Sequence, residues 1–309
     1  MRIMDMTIVA DPGLGRARAL VAMARPSQVA LIVLVWSSGV LLGVARPDTP
    51  AIRPTDLGVA LVLLLAAAVA AHWANEAADA ETDAGSVRTR FSGGSGALAR
   101  SDMGASLPLR LSLGLAVTVA ITGVIAVVVG ALTVAAAFLL GAGLAGGLAY
   151  SLPPVAAMRR GWGEVLNMLL GALLLPLFGV AVVRGGIDPL DVLAFLPFAA
   201  VTLGSVMATA WPDRMADAAT GKRTLQVRWR PRRLRGVYAA LAAVWLCSTL
   251  LAIAVEAAPP LAAAAGLLVL PLVVLGTVRY TRTEDPWPSV VAMVGSIALM
   301  TVALAVVMV

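Results

Sequence analysis

The chain has 309 residues, 60% hydrophobic and 13% charged, with 23 Lys and Arg against 17 Asp and Glu. A mean hydropathy of +0.94 leaves too little polar surface for a water-soluble fold of this length. A single cysteine, Cys247, excludes an internal disulfide, and the basic excess is read as orienting membrane helices and meeting anionic lipid rather than as binding nucleic acid.

In chain order, the N-terminal segment 1–26 carries charge up to Arg25 and lacks the apolar region and cleavage site of a signal peptide. It is predicted to be cytoplasmic. Nine apolar runs follow, each long enough to cross a bilayer as a helix. They cover about 27–45, 57–74, 111–129, 131–149, 164–183, 189–211, 236–255, 259–278 and 288–309. The third and fourth are parted only around Gly130, which predicts a tight hairpin. Of the 23 Lys and Arg residues, 20 fall in the N-terminal segment and the loops on its side of the membrane, and 3 on the other. That asymmetry predicts nine spans with the N-terminus inside. The expected fold is therefore an all-α polytopic membrane protein, one transmembrane domain over 1–309.

Two acidic clusters fall on the predicted cytoplasmic side. "NEAADAETD" places Asn75, Asp79 and Asp83 four residues apart after the second run, and Asp213 and Asp217 repeat the spacing after the sixth. On a helix, residues four apart share a face, where like charges repel by a few tenths of a kcal/mol, roughly. A cation held between the clusters explains why a chain so sparing of charge tolerates this twice. Carboxylates that leave coordination positions open suit Mg²⁺, which takes one or two carboxylates plus phosphate oxygens. Zinc fits poorly, because His72 is the one histidine and Cys247 is distant in sequence. Basic residues trail each cluster: Arg88 and Arg90 the first, Lys222, Arg223 and Arg228 the second. Acid for metal and base for phosphate is an arrangement that binds a metal–diphosphate and stabilises it as a leaving group. The run "SGGSG", Ser92 to Gly96, offers backbone N–H groups to an anion, or is a flexible loop. His72 is read as structural, Glu164 as a helix cap, and Asn167 as packing between helices or facing a cavity. The last three runs carry almost no charge and are read as scaffold.

These segments resemble the UbiA superfamily of intramembrane prenyltransferases. "NEAADAETD" resembles the first aspartate-rich motif, N-D-x-x-D-x-x-x-D, and "PDRMADAATGKRTLQVR" the second, D-x-x-x-D with its "GKRTL" tail. "YSLPPVAAMRRGWGE" is similar to the Y-S-x-P-P and R-G-x-G-E segments, and "RFSGGSGAL" to the stretch after the first motif in naphthoate-prenylating relatives. The resemblance implies nine helices around a central cavity. It also implies Mg²⁺-dependent transfer of a prenyl group from a polyprenyl diphosphate to a small aromatic acceptor of the quinone-precursor type. By position, Asn75, Asp79, Asp83, Asp213 and Asp217 would hold Mg²⁺ against the diphosphate. Lys222, Arg223 and Arg159 would meet the diphosphate, and Tyr150 and Ser151 would face the cavity. Glu76 stands where the family has aspartate and is left out of the metal set. The implied setting is the bacterial inner membrane with the site facing the cytoplasm and the prenyl tail among helices and lipid. Two other readings stay open: a terpene cyclase of the same fold, acting without an acceptor, and a transporter. Against the transporter, the ionisable residues gather at one face rather than at the midplane.

Overall fold

The computed structural model describes residues 14–47, 49–50, 52–83 and 94–308; the side chains of 81–83 lie outside the description. Among the described residues every regular element is helical. Nine helical stretches among them are long and apolar enough to cross a membrane: Arg16–Val44, Pro54–Ala80, Ser106–Val128, Val134–Ser151, Gly163–Arg184, Pro189–Thr209, Pro231–Ala254, Pro260–Arg279 and Trp287–Val307. They coincide with the nine predicted runs to within a few residues at most ends. The first is broken at Ala24–Arg25 into a short helix, Arg16–Met23, and span one proper, Pro26–Val44.

Local chemistry sets the helix ends. Proline opens the spans at Pro26, Pro54, Pro189, Pro231 and Pro260, where its missing N–H has no intrahelical partner to lose. Thr133 caps span four by accepting from Ala136 N, and Asp188 and Asp191 form a reciprocal capping box on span six. Spans three and four turn through Gly130 at φ 72°, the predicted hairpin. Span five widens into a π-helical turn over Leu169–Leu174 just before Pro176.

Spans one and five make the closest contact. A Cβ on Gly39 would lie 1.8 Å from Pro176 O, and one on Gly179 would lie 2.4 Å from Trp36 O. The two backbones touch, as small residues permit inside membranes. At the end remote from the acidic clusters, Asp191 is fully buried and accepts from Arg46 at 3.2 Å and Arg184 at 3.0 Å. Arg46 also donates to Ala257 O at 2.8 Å. This ion cluster ties spans one, five and six to the turn between spans seven and eight.

Candidate active site

Span two continues as helix past the bilayer-crossing stretch to Asp83, so Asn75 and Asp79 project from one face, as the spacing predicts. Asn75 Nδ2 donates to Asp79 Oδ2 at 3.1 Å and to Ser151 Oγ at 3.2 Å. Its Oδ1 accepts from Arg25 Nη2 at 3.0 Å. Because a guanidinium only donates, the amide oxygen faces Arg25 and its nitrogen faces Asp79. The backbone of Asp83 belongs to the same helix. Its side chain lies outside the described residues, as do Arg88, Arg90, Ser92 and Gly93.

The second cluster sits on a short helix, Arg214–Ala219, with Asp213 at its N-cap. The chain then reverses at Gly221, φ 75°, and Lys222 N donates back to Asp217 O at 2.9 Å. This reversal aims Lys222 at both clusters. Its Nζ lies 2.9 Å from Asp79 Oδ1 and 3.8 Å from Asp217 Oδ1, and all three side chains are largely shielded from solvent. Burial pushes the Asp217 carboxyl up to about 6; the pull of Lys222 opposes this and the nearby Asp213 adds to it.

Among the described residues no three carboxylate, histidine or cysteine side chains gather into one ligand set. Among the described residues, Asp79 of the first motif and Asp217 of the second meet on the ammonium of Lys222. Oxygen donors from two elements around a buried positive charge fit a hard divalent ion that completes its shell with water and phosphate.

The remaining predicted residues surround this pair. Tyr150 and Ser151 end span four. Arg159 Nη2 donates to Ala78 O at 3.0 Å, beside Asp79, and its carbonyl accepts from Arg223 N at 3.0 Å. The Arg223 side chain is exposed. Glycines make this apposition possible. Gly161 has φ 83°, and a Cβ there would meet Arg223 O at 2.5 Å; a Cβ on Gly163 would lie 2.8 Å from Met158 Cα and 3.4 Å from the Tyr150 ring. Glu164, read as a cap of its own helix, also reaches across: its Oε1 accepts from Leu225 N at 2.9 Å, tying down the "GKRTL" tail. Asn167 is exposed.

Sequence reasoning missed the network behind Asn75. Glu76, 3% exposed, accepts from Arg25 Nε and Nη2 at 2.9 and 2.6 Å and from Ser95 N and Oγ at 2.9 and 2.6 Å. The N–H of Ser95 in the glycine-rich run is thus turned to an anion, but to the protein's own carboxylate. His72 Nδ1 bonds Ala24 O at 2.8 Å, and Trp73 Nε1 donates to Leu20 O at 3.0 Å, so His72 has a structural partner. The signal for this network was the longer acid at position 76 and the Arg25–Pro26 pair at the mouth of span one.

The model of the UbiA prenyltransferase family matches residues 30–297. No curated protein matches the chain. The fold is similar to that of a UbiA homolog from Archaeoglobus fulgidus bound to GPP and Mg²⁺, at 16% identity and TM-score 0.63, covering 94% of this chain and 100% of that one. It is also similar to the apo UbiA homolog from Aeropyrum pernix K1, at 14% identity and TM-score 0.68, covering 92% and 99%. A structure of digeranylgeranylglyceryl phosphate synthase matches at 11% identity and TM-score 0.65, covering 95% and 99%.

Proposed function

The chain belongs to the UbiA prenyltransferase family, and we propose that it transfers a prenyl group from a polyprenyl diphosphate to an aromatic acceptor of the quinone-precursor type. The observation that carries this reading is the meeting of Asp79 and Asp217 on Lys222, at 2.9 and 3.8 Å. The two acidic clusters converge on one cation rather than pointing apart.

In this reading Asp79, Asp83, Asp213 and Asp217 hold Mg²⁺, and Asn75 joins them once its amide turns over from Arg25. The ions, when bound, neutralise the diphosphate and make it a better leaving group. Lys222, Arg223 and Arg159 supply further positive charge to the same group. Lys222 is largely shielded, so its charge acts where water screens it least. Tyr150 and Ser151 stand at the end of span four, with Ser151 Oγ bonded to Asn75, and in this reading face the cavity in which the prenyl group is transferred. Apolar spans exclude the water that would quench an allylic cation. Support for the cofactor and donor comes from the Archaeoglobus fulgidus homolog, which carries GPP and Mg²⁺ on a similar fold. The lean toward a naphthoate acceptor rests on the resemblance of "RFSGGSGAL". The charge asymmetry of the loops supports a site on the cytoplasmic side; a bacterial inner membrane as the setting and one domain over 1–309 belong to the same proposal.

The test supplies purified protein in lipid discs with Mg²⁺ and prenyl diphosphates of several lengths, with and without dihydroxynaphthoate or hydroxybenzoate. Mass spectrometry is expected to find prenylated acceptor. Cyclised product formed without acceptor, or no consumption of any diphosphate, overturns the reading.

A further inference from the structure

Asp79 has both oxygens engaged: Oδ1 by Lys222 and Oδ2 by Asn75. Asp217 shares the ammonium of Lys222 and accepts from Thr224 Oγ1 at 3.4 Å through its other oxygen. The position of Lys222 is built in, since the left-handed turn at Gly221 and the Lys222 N–H to Asp217 O bond fix where its side chain starts. Two carboxylates brought this close, with Asp213 one turn away, repel unless a positive charge lies between them. The protein supplies that charge itself.

A divalent ion arriving alone must therefore displace an ammonium that would be left shielded and unpaired, which is costly. A divalent ion arriving with a diphosphate brings new acceptor oxygens for the same ammonium. From this geometry, and resting on the diphosphate reading above, we propose that Lys222 is a resident counter-cation that keeps divalent metal off the Asp79–Asp217 pair until a diphosphate is present to receive its ammonium. Lys222 is then a positioning residue for metal loading as well as a contact of the substrate. In the exchange one ammonium leaves the carboxylates for phosphate oxygens and a divalent ion takes its place; the extra positive charge this brings is met by the negative charge of the diphosphate that arrives with it.

The test reads metal binding, not turnover. Mn²⁺ affinity is measured by the electron paramagnetic resonance signal of the free ion, for the full chain in lipid discs, with and without inorganic pyrophosphate, each curve read against empty discs at the same pyrophosphate concentration because pyrophosphate binds Mn²⁺ by itself. Wild type is expected to bind Mn²⁺ weakly alone and at least about tenfold more tightly with pyrophosphate, the scale on which an opposite charge within a few ångströms acts on a carboxylate. Lys222→Met is expected to bind Mn²⁺ alone at least about tenfold more tightly than wild type, and to gain less from pyrophosphate. Lys222→Gln, which keeps a donor without the charge, should behave like Lys222→Met, while Lys222→Arg should behave like wild type. If both neutral variants bind Mn²⁺ no more tightly than wild type while pyrophosphate still strengthens binding in wild type, the counter-cation role is overturned and the diphosphate site stands. If wild type gains nothing from pyrophosphate, both readings fall.

Discussion

Arg25 donates from both Nε and Nη2 to a single oxygen of Glu76, at 2.9 and 2.6 Å, across 51 residues of chain. Arg25 is held at φ 53°, in the left-handed region that a side chain enters only under constraint. Glu76 also clasps Ser95, so one carboxylate joins the N-terminal helix, span two and the loop after the first motif. Glu76→Ala strands the Arg25 charge. It is expected to cost about 2–3 kcal/mol, below the range for fully buried pairs because Arg25 keeps some water contact. Glu76→Asp, one methylene shorter, should lose the Ser95 or the Arg25 contact but not both. Thermal unfolding of the purified variants gives the cost, and hydrogen exchange at 16–25 and 94–97 shows which contact opened.

Gly161 carries a second constraint. With φ 83° and no space for a Cβ against Arg223 O, Gly161→Ala should push the "GKRTL" tail away from the Arg159 loop. Pyrophosphate affinity is expected to fall by about tenfold or more while helix content by circular dichroism stays unchanged, because the nine spans do not depend on this turn. A strained backbone costs on the order of 1–3 kcal/mol, enough for that change.

Glu164 should separate shape from charge. Glu164→Gln keeps an acceptor for Leu225 N–H and is expected to unfold close to wild type. Glu164→Ala leaves that buried N–H without its partner, at a cost of about 1–3 kcal/mol. Equal melting temperatures for the two variants would show that the bond to Leu225 contributes nothing.

Asp191 lies at the far end of the molecule from the acidic clusters, and its loss should be felt as stability alone. Asp191→Ala removes the shared partner of Arg46 and Arg184, and is expected to cost about 2–3 kcal/mol, because both guanidiniums keep some water contact and Arg184 keeps Asp188. The Mn²⁺ affinity of the surviving folded fraction should equal that of wild type.

Chelation should abolish prenyl transfer, and Mg²⁺ should restore it while Zn²⁺ does not. The chain's own donors at this site are carboxylates, which suit the harder ion. Activity that persists after exhaustive chelation would remove the metal from the proposal.

The fold was readable because a bilayer imposes it. Runs of about twenty apolar residues and the distribution of Lys and Arg fix helix number and order, and Gly130 marked its own turn. The acidic pairs were readable because a spacing of four has one meaning on a helix. The partners of Glu76 were not, since Arg25, Glu76 and Ser95 meet through tertiary structure that leaves no periodicity behind. Glu164 pointed to its own helix start, where an acid is favoured, and gave no sign of Leu225 sixty-one residues on. Lys222 was legible as a basic residue after an acid cluster; its lodging between the two motifs depends on the reversal at Gly221, which sequence marks only as a glycine.

The backbone-to-backbone seam at Gly39 and Gly179 has a bearing on traffic. Helices in such contact leave no slot between them at that level for an acyl or isoprenoid chain to slide through, so this flank of span one offers no passage there. A hydrophobic tail too long for the interior has to thread out between some other pair of spans. The length of tail the protein accepts would then be governed by a doorway elsewhere, and widening residues along this flank would leave it untouched.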